Sequence, residues 1–181
     1  IIFTRGLRWH YLIKSLNMNL SVKDSSKFYL MGASLGAITP SRLGNFFRAK
    51  LLKDKSKTKL IPAISTVIAD NLLDGLTILI FGLIGFFILL QSNIKIAPLY
   101  YITILIILII LVAIIFFKRE KFFFLVRFIL KTFFSKSKKA KIKLSLKEIH
   151  HNFKTMEKNK IDVMLSSLFS IIAWLLTLLS S

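Results

Sequence analysis

The chain has no cysteine, only three prolines, and only 8 acidic residues against 27 lysines and arginines. Without cysteine there is no disulfide framework, no thiolate zinc site and no cysteine nucleophile. No P-loop, dinucleotide fingerprint or Ser-His-acid arrangement is present, and His10, His150 and His151 lie far in sequence from the acidic pair Asp70 and Asp74. No cofactor is expected from such a sequence. What it has in quantity is apolar residues, 55% of 181, together with a net charge of +19. In a soluble fold these would interleave at helix or strand period. Here they separate into long apolar blocks with lysine-rich stretches between them. A basic balance of this kind does not form one basic face, so a nucleic-acid partner is not expected. It fits the positive-inside pattern of a membrane protein.

Three spans are predicted. Residues 98–117 carry no charge and, at 1.5 Å per residue, cover about the 30 Å of a hydrocarbon core, with Tyr100 and Tyr101 placed for an interfacial belt. Residues 60–90 form another, with Pro62 in its first turn, and residues 161–181 a third. Residues 48–59 carry six Lys/Arg and residues 118–160 carry fourteen, whereas the connector 91–97 has a single lysine. Both basic loops are therefore predicted to be cytoplasmic, in a multi-pass protein of the cell membrane. Within the longer loop, residues 121–134 suit a helix in the headgroup layer. In residues 140–158, Ile142, Leu146, Ile149, Phe153 and Met156 recur at one helical face, to rest on the membrane or on the bundle. The chain opens at Ile1 and stops in an apolar run at Ser181, so it reads as a piece of a larger bundle.

Residues 28–47 are apolar enough to enter a bilayer but are interrupted by Gly32, Gly36, Thr39, Pro40, Arg42 and Gly44. Basic residues lie on both flanks: Arg5, Arg8, Lys14, Lys23 and Lys27 before, residues 48–59 after. The segment is predicted to enter and return as a re-entrant hairpin, with a half-helix to about Ile38, a break at Thr39-Pro40 and a second short helix from Ser41. A kinked ordinary span is the alternative. Gly32-x-x-x-Gly36 offers a face for close helix contact. Ser41 and Arg42 at a helix start, with Arg48 six residues beyond Arg42, suit a phosphate; snorkelling or ion pairing is the plainer role for each arginine. In the following span Asp70 and Asp74 share a helical face, about 15 Å and 21 Å in from Leu60. Charges at that depth are costly and must pair or be protonated; Arg42 is the expected partner, and the pair reads as a polar site or proton relay or, more plainly, as a structural salt bridge. The whole is an all-α polytopic transmembrane bundle, one domain over residues 1–181.

The run GASLGAITPSRLGNFFRAKLL, followed by AISTVIADNLLDG, resembles the lysylphosphatidylglycerol synthase transmembrane family. Its pattern N-x-x-x-P-G-R-x-G-[ED]-x-x-R-x-x-x-L, then acid-Arg-x-x-Asp, is matched at Pro40, Arg42, Gly44, Arg48, Leu52, Asp70 and Asp74. Ser41 replaces its glycine, Asn45 its acid and Asn71 its arginine. The resemblance implies binding and movement of an anionic lipid, either an aminoacylated phospholipid or a polyprenyl-phosphate sugar. Ser41, Arg42 and Arg48 would hold the phosphate, and Asp70 and Asp74 would position the arginine or sense protons. It implies transport rather than catalysis, because the transferase of some relatives is a separate soluble domain. A second reading is a membrane scaffold that docks a lipid-modifying enzyme or glycosyltransferase through its basic loop.

Overall fold

A computed structural model describes residues 1–39, 44–91 and 136–180, with side chains from 1–39, 44–86 and 144–180. The predicted span 98–117 and headgroup helix 121–134 lie outside the described residues. Six helices occur among those described: α1 (Ile2–Ser15), α2 (Val22–Ile38), α3 (Phe47–Ser56), α4 (Leu60–Gln91), α5 (Lys136–Lys158) and α6 (Lys160–Leu179). None of the described residues is in a strand. The protein is an all-helical bundle, and α4 and α6 are each long and apolar enough to cross a membrane. The chain divides into two compact units, residues 1–74 with 147–181, and residues 75–146. The residues that bear on function lie in the first unit.

Local chemistry sets the helix ends there. Helix α1 stops where Asn17 turns left-handed at φ 57°. The Met18 amide then donates to the Ile13 carbonyl at 3.3 Å and the Asn17 amide to that of Lys14 at 2.8 Å, which satisfies two otherwise orphaned carbonyls. Ile13 and Met18 also pack together in the core. Helix α2 starts at Ser21, whose hydroxyl accepts the Asp24 amide at 3.0 Å, with the Asp24 carboxylate in the first turn as the helix dipole favours. It ends at Thr39, extended at φ −92° and ψ 141°, the conformation that a following proline imposes. Helix α3 ends at Lys57, left-handed at φ 51°. A single residue, Asn159, separates α5 from α6, and its side-chain amide donates to the Ser15 carbonyl at 2.6 Å.

Helices α2 and α3 form an antiparallel hairpin. At its open end Lys55 lies 3.9 Å from Asp24, and the Ser56 hydroxyl donates to the Asn19 carbonyl at 3.1 Å. At its closed end the Thr39 hydroxyl donates to the Leu35 carbonyl and accepts the Gly44 amide, both at 2.8 Å. The hairpin is longer than the 28–47 read from sequence, because residues 48–56, expected as part of the basic loop 48–59, are helical. Their apolar positions explain this: Ala49 and Leu52 are fully buried in the core with Trp9, Ile13 and Val67, while the lysines face outward. Among the described residues the second arm is α-helical from Phe47, after a tight turn over residues 44–46. Residues 40–43 lie outside the described residues.

Helix α1 runs between α6 and α2. Small residues line both contacts. Gly6 meets Ser26 so closely that an added Cβ would sit 2.6 Å from it. On α6, Ser166, Ser170 and Ala173 recur at helical spacing and are buried, whereas Met164, Leu168, Ile171 and Leu175 recur at the same spacing on the exposed side. Near its C-terminus α5 closes one side, with Asn152 donating to the Ser65 hydroxyl at 3.0 Å and Met156 buried beside Leu12 and Ala69. Of the apolar face read over residues 140–158, Phe153 and Met156 rest on the bundle.

Candidate functional site: a buried arginine–aspartate network

The interior holds charge where a water-soluble protein would hold only hydrocarbon. Arg8, Arg48 and Asp70 are 0%, 2% and 1% exposed, while Ile38, Ile161 and Met164 are 84%, 76% and 74% exposed. A charge so buried needs a hydrogen-bonded counter-charge. Asp70 supplies it twice. Its Oδ1 accepts Arg8 Nε at 2.6 Å and its Oδ2 accepts Arg48 Nη2 at 2.6 Å. One carboxylate on α4 thus ties α1 to the hairpin arm α3. Asp74, one turn along α4, accepts Arg8 Nη1 at 2.5 Å and Trp174 Nε1 at 3.0 Å, both through Oδ1. The Ser170 hydroxyl accepts Arg8 Nη1 at 3.2 Å.

Aromatic rings complete the shell. The Arg48 guanidinium lies 5.0 Å from the Trp9 ring centre and 4.6 Å from that of Tyr29, within reach of cation–π attraction. The Trp9 indole N–H is satisfied by Thr66 at 3.1 Å. Arg5 sits over Trp174 at 5.4 Å. Three guanidinium nitrogens, Arg5 Nε, Arg8 Nη2 and Arg48 Nε, are buried without an acceptor among the described residues.

The glycines flanking the hairpin break permit this arrangement. A Cβ on Gly32 would lie 3.2 Å from the Arg48 side chain, and one on Gly36 would lie 2.9 Å from Asn45 Oδ1. On Gly44 it would overlap the backbone carbonyl of Leu35. Glycine at these positions lets the second arm approach the first closely enough to carry Arg48 inward.

Of the residues singled out in the sequence, Arg48, Asp70 and Asp74 therefore meet in one network, and Gly32, Gly36, Thr39 and Gly44 shape the hairpin that presents Arg48. Pro40, Ser41 and Arg42 lie outside the described residues. Arg42, the partner expected for Asp70, is thus not among the residues whose contacts are described; among those that are, Arg8 and Arg48 each bond one Asp70 oxygen. Arg8 is the residue that sequence reasoning misses. Its place in the sequence puts it, with Arg5, among charges flanking the hairpin on the cytoplasmic side. Yet it lies inside, level with Asp70 and Asp74, and carries no weight in setting sidedness. A signal is available: two aspartates four residues apart in an apolar helix need more than one cation, and Arg8 stands among Trp9, Leu12 and Ile13 at core spacing.

A helical bundle with its charge and hydroxyls inside and its large apolar side chains outside is a membrane protein. The family model described as the lysylphosphatidylglycerol synthase TM region matches residues 1–181, so the chain belongs to that family. It is a membrane protein of a lipid-handling family. No curated protein and no solved structure matches it.

Proposed function

We propose that this chain binds an anionic lipid, an aminoacylated phospholipid or a polyprenyl-phosphate sugar, and moves it across the cytoplasmic membrane. The observation that carries this reading is Arg48, brought inside by a broken hairpin and held by Asp70 of a spanning helix. Irregular backbone at membrane depth persists where it is buried in protein or lines a wet cavity, and it marks ligand sites in transporters. The hairpin fits that role. Helix α2 has 17 residues, about 25 Å at helical rise, short of a full crossing, and the chain then returns. The connectors 16–21 and 57–59 and the joint at Asn159 share one end, linked through Ser15–Asn159 and Asn19–Ser56. Lys14, Lys23, Lys55, Lys57, Lys158 and Lys160 crowd that end, which makes it cytoplasmic by the positive-inside rule. Ser41 and Arg42, at the turn in sequence, complete the proposed headgroup contacts. The role is transport rather than catalysis.

The test is a lipid-scrambling assay in proteoliposomes with fluorescent phosphatidylglycerol. Arg48→Gln and Arg42→Ala are each expected to lower the transfer rate about tenfold or more, on the scale of a lost charge-assisted hydrogen bond. Transfer at the parent rate in both variants, each shown to be folded, would remove these arginines from the mechanism.

A further inference from the structure

The two network carboxylates are held differently. Asp70 is enclosed, with each oxygen committed to a different arginine. Arg48 is in turn flanked by Trp9 and Tyr29, so the Asp70–Arg48 half is a fixed frame. Asp74 is 19% exposed and meets Arg8 through one oxygen and one nitrogen only. A guanidinium offers Nη1 and Nη2 as a fork that a phosphate can take with two oxygens. Asp74 fills half of the Arg8 fork and leaves buried Nη2 without an acceptor. Arg5, one turn before Arg8, brings a second unpartnered donor to the same place and stacks on the ring whose N–H Asp74 accepts. Among the described residues, three arginines stand here against two aspartates, leaving one positive charge in excess.

We infer that Arg5 and Arg8, beside Trp174, form a position for a lipid phosphodiester, and that Asp74 is the internal anion that occupies part of it until the lipid displaces it. A phosphodiester carries one negative charge, which matches the excess. It has two free oxygens for the Arg8 fork, one of them taking the place of Asp74 Oδ1 against Trp174 Nε1. Arg5 then neutralises the released carboxylate. The inference rests on the proposal that the chain takes an anionic lipid and assigns the residues that select its headgroup.

The experiment uses the full chain in detergent with dioctanoyl phosphatidylglycerol as probe. Trp9→Phe leaves Trp174 as the one tryptophan, since the chain has two. Its emission is expected to change saturably with the probe and not with dioctanoylglycerol, which lacks the phosphate. Asp74→Asn removes the competing anion and is expected to tighten binding about tenfold, and Arg5→Gln to weaken it about tenfold. Arg5 makes no ion pair among the described residues, so Arg5→Gln decides the question even if Asp74→Asn fails to fold. Equal affinity for dioctanoylglycerol, unchanged affinity in Arg5→Gln, or weaker binding in a folded Asp74→Asn overturns the inference. Inorganic phosphate that competes as well as the lipid overturns the lipid source. Binding that follows this pattern in a protein that scrambles nothing leaves the inference standing and defeats the transport proposal. Normal scrambling with no effect of Arg5→Gln on affinity does the reverse.

Discussion

Replacing Asp70 by asparagine keeps the shape of the side chain and removes the charge that two buried arginines share. Arg8 retains Asp74 as a partner. Among the described residues Arg48 retains the faces of Trp9 and Tyr29, which contribute about 0.5–2 kcal/mol of cation–π attraction, and at most a neutral amide oxygen, none of which replaces a carboxylate. Breaking one side of a buried pair costs about 3–5 kcal/mol, because the surviving charge stays in a medium that does not solvate it. In a domain of this size each kcal/mol moves the melting temperature by about 2–4 °C, so Asp70→Asn is expected to melt roughly 6–20 °C below the parent. The measurement is monodispersity on gel filtration in detergent after a series of heating steps. Adding Arg48→Met to Asp70→Asn removes the stranded charge and fills the space with hydrocarbon, so the double variant should recover to within about 2 kcal/mol of the parent. A single variant that melts within about 2 °C of the parent would show that the network does not hold α1, α3 and α4 together. So would a double variant whose loss is the sum of the two single losses.

Gly44→Ala drives a methyl group into the Leu35 backbone and is expected to cost about 3 kcal/mol or more; Gly75→Ala, with nothing within 4 Å, should stay within about 1 kcal/mol in the same melting assay. Thr39→Val keeps side-chain volume and deletes both hydrogen bonds that close the hairpin, for an expected loss of about 1–2 kcal/mol and faster amide exchange at Gly44; unchanged exchange there would count against the closure. Because the chain has no cysteine, single substitutions Lys23→Cys, Lys57→Cys and Lys158→Cys report sidedness without background. All three are expected to react with a membrane-impermeant maleimide from the same side, and Lys23 and Lys57 on opposite sides would replace the hairpin by a full crossing.

The apolar helices are legible because hydropathy is local: long, mostly apolar runs announce α4 and α6 without reference to any other part of the chain. The break after Ile38 is legible for a similar reason, since Pro40 restricts Thr39 directly. Helix α3 is hidden by its composition. Six Lys/Arg in twelve residues read as a solvated loop, and the two residues that anchor it, Ala49 and Leu52, are too few to outweigh them in any window. The partner of Asp70 is hidden for a different reason. Arg8 lies 62 residues away in sequence, and no spacing rule connects a residue on one helix to a carboxylate on another. Only the requirement that every buried charge be matched points to it, and that requirement says how many cations are needed without saying which.

The same geometry accounts for where this sequence keeps the pattern it resembles and where it departs. Gly44 touches backbone, Leu52 is fully buried, and Arg48, Asp70 and Asp74 belong to one charge network, so a change at any of them leaves a clash, a cavity or an unmatched charge. Asn71 is exposed on α4 although its neighbour Asp70 is enclosed, and an arginine there would project away from the network. Asn45 is half-buried against Gly36, where an uncharged amide sits at lower cost than a carboxylate. Neither departure removes a member of the network. A chain lacking the acid at 45 and the arginine at 71 thus retains, among the described residues, the Arg48–Asp70 pair that links the hairpin to the span. In the proposed mechanism that link, rather than the two altered positions, fixes where a headgroup is held.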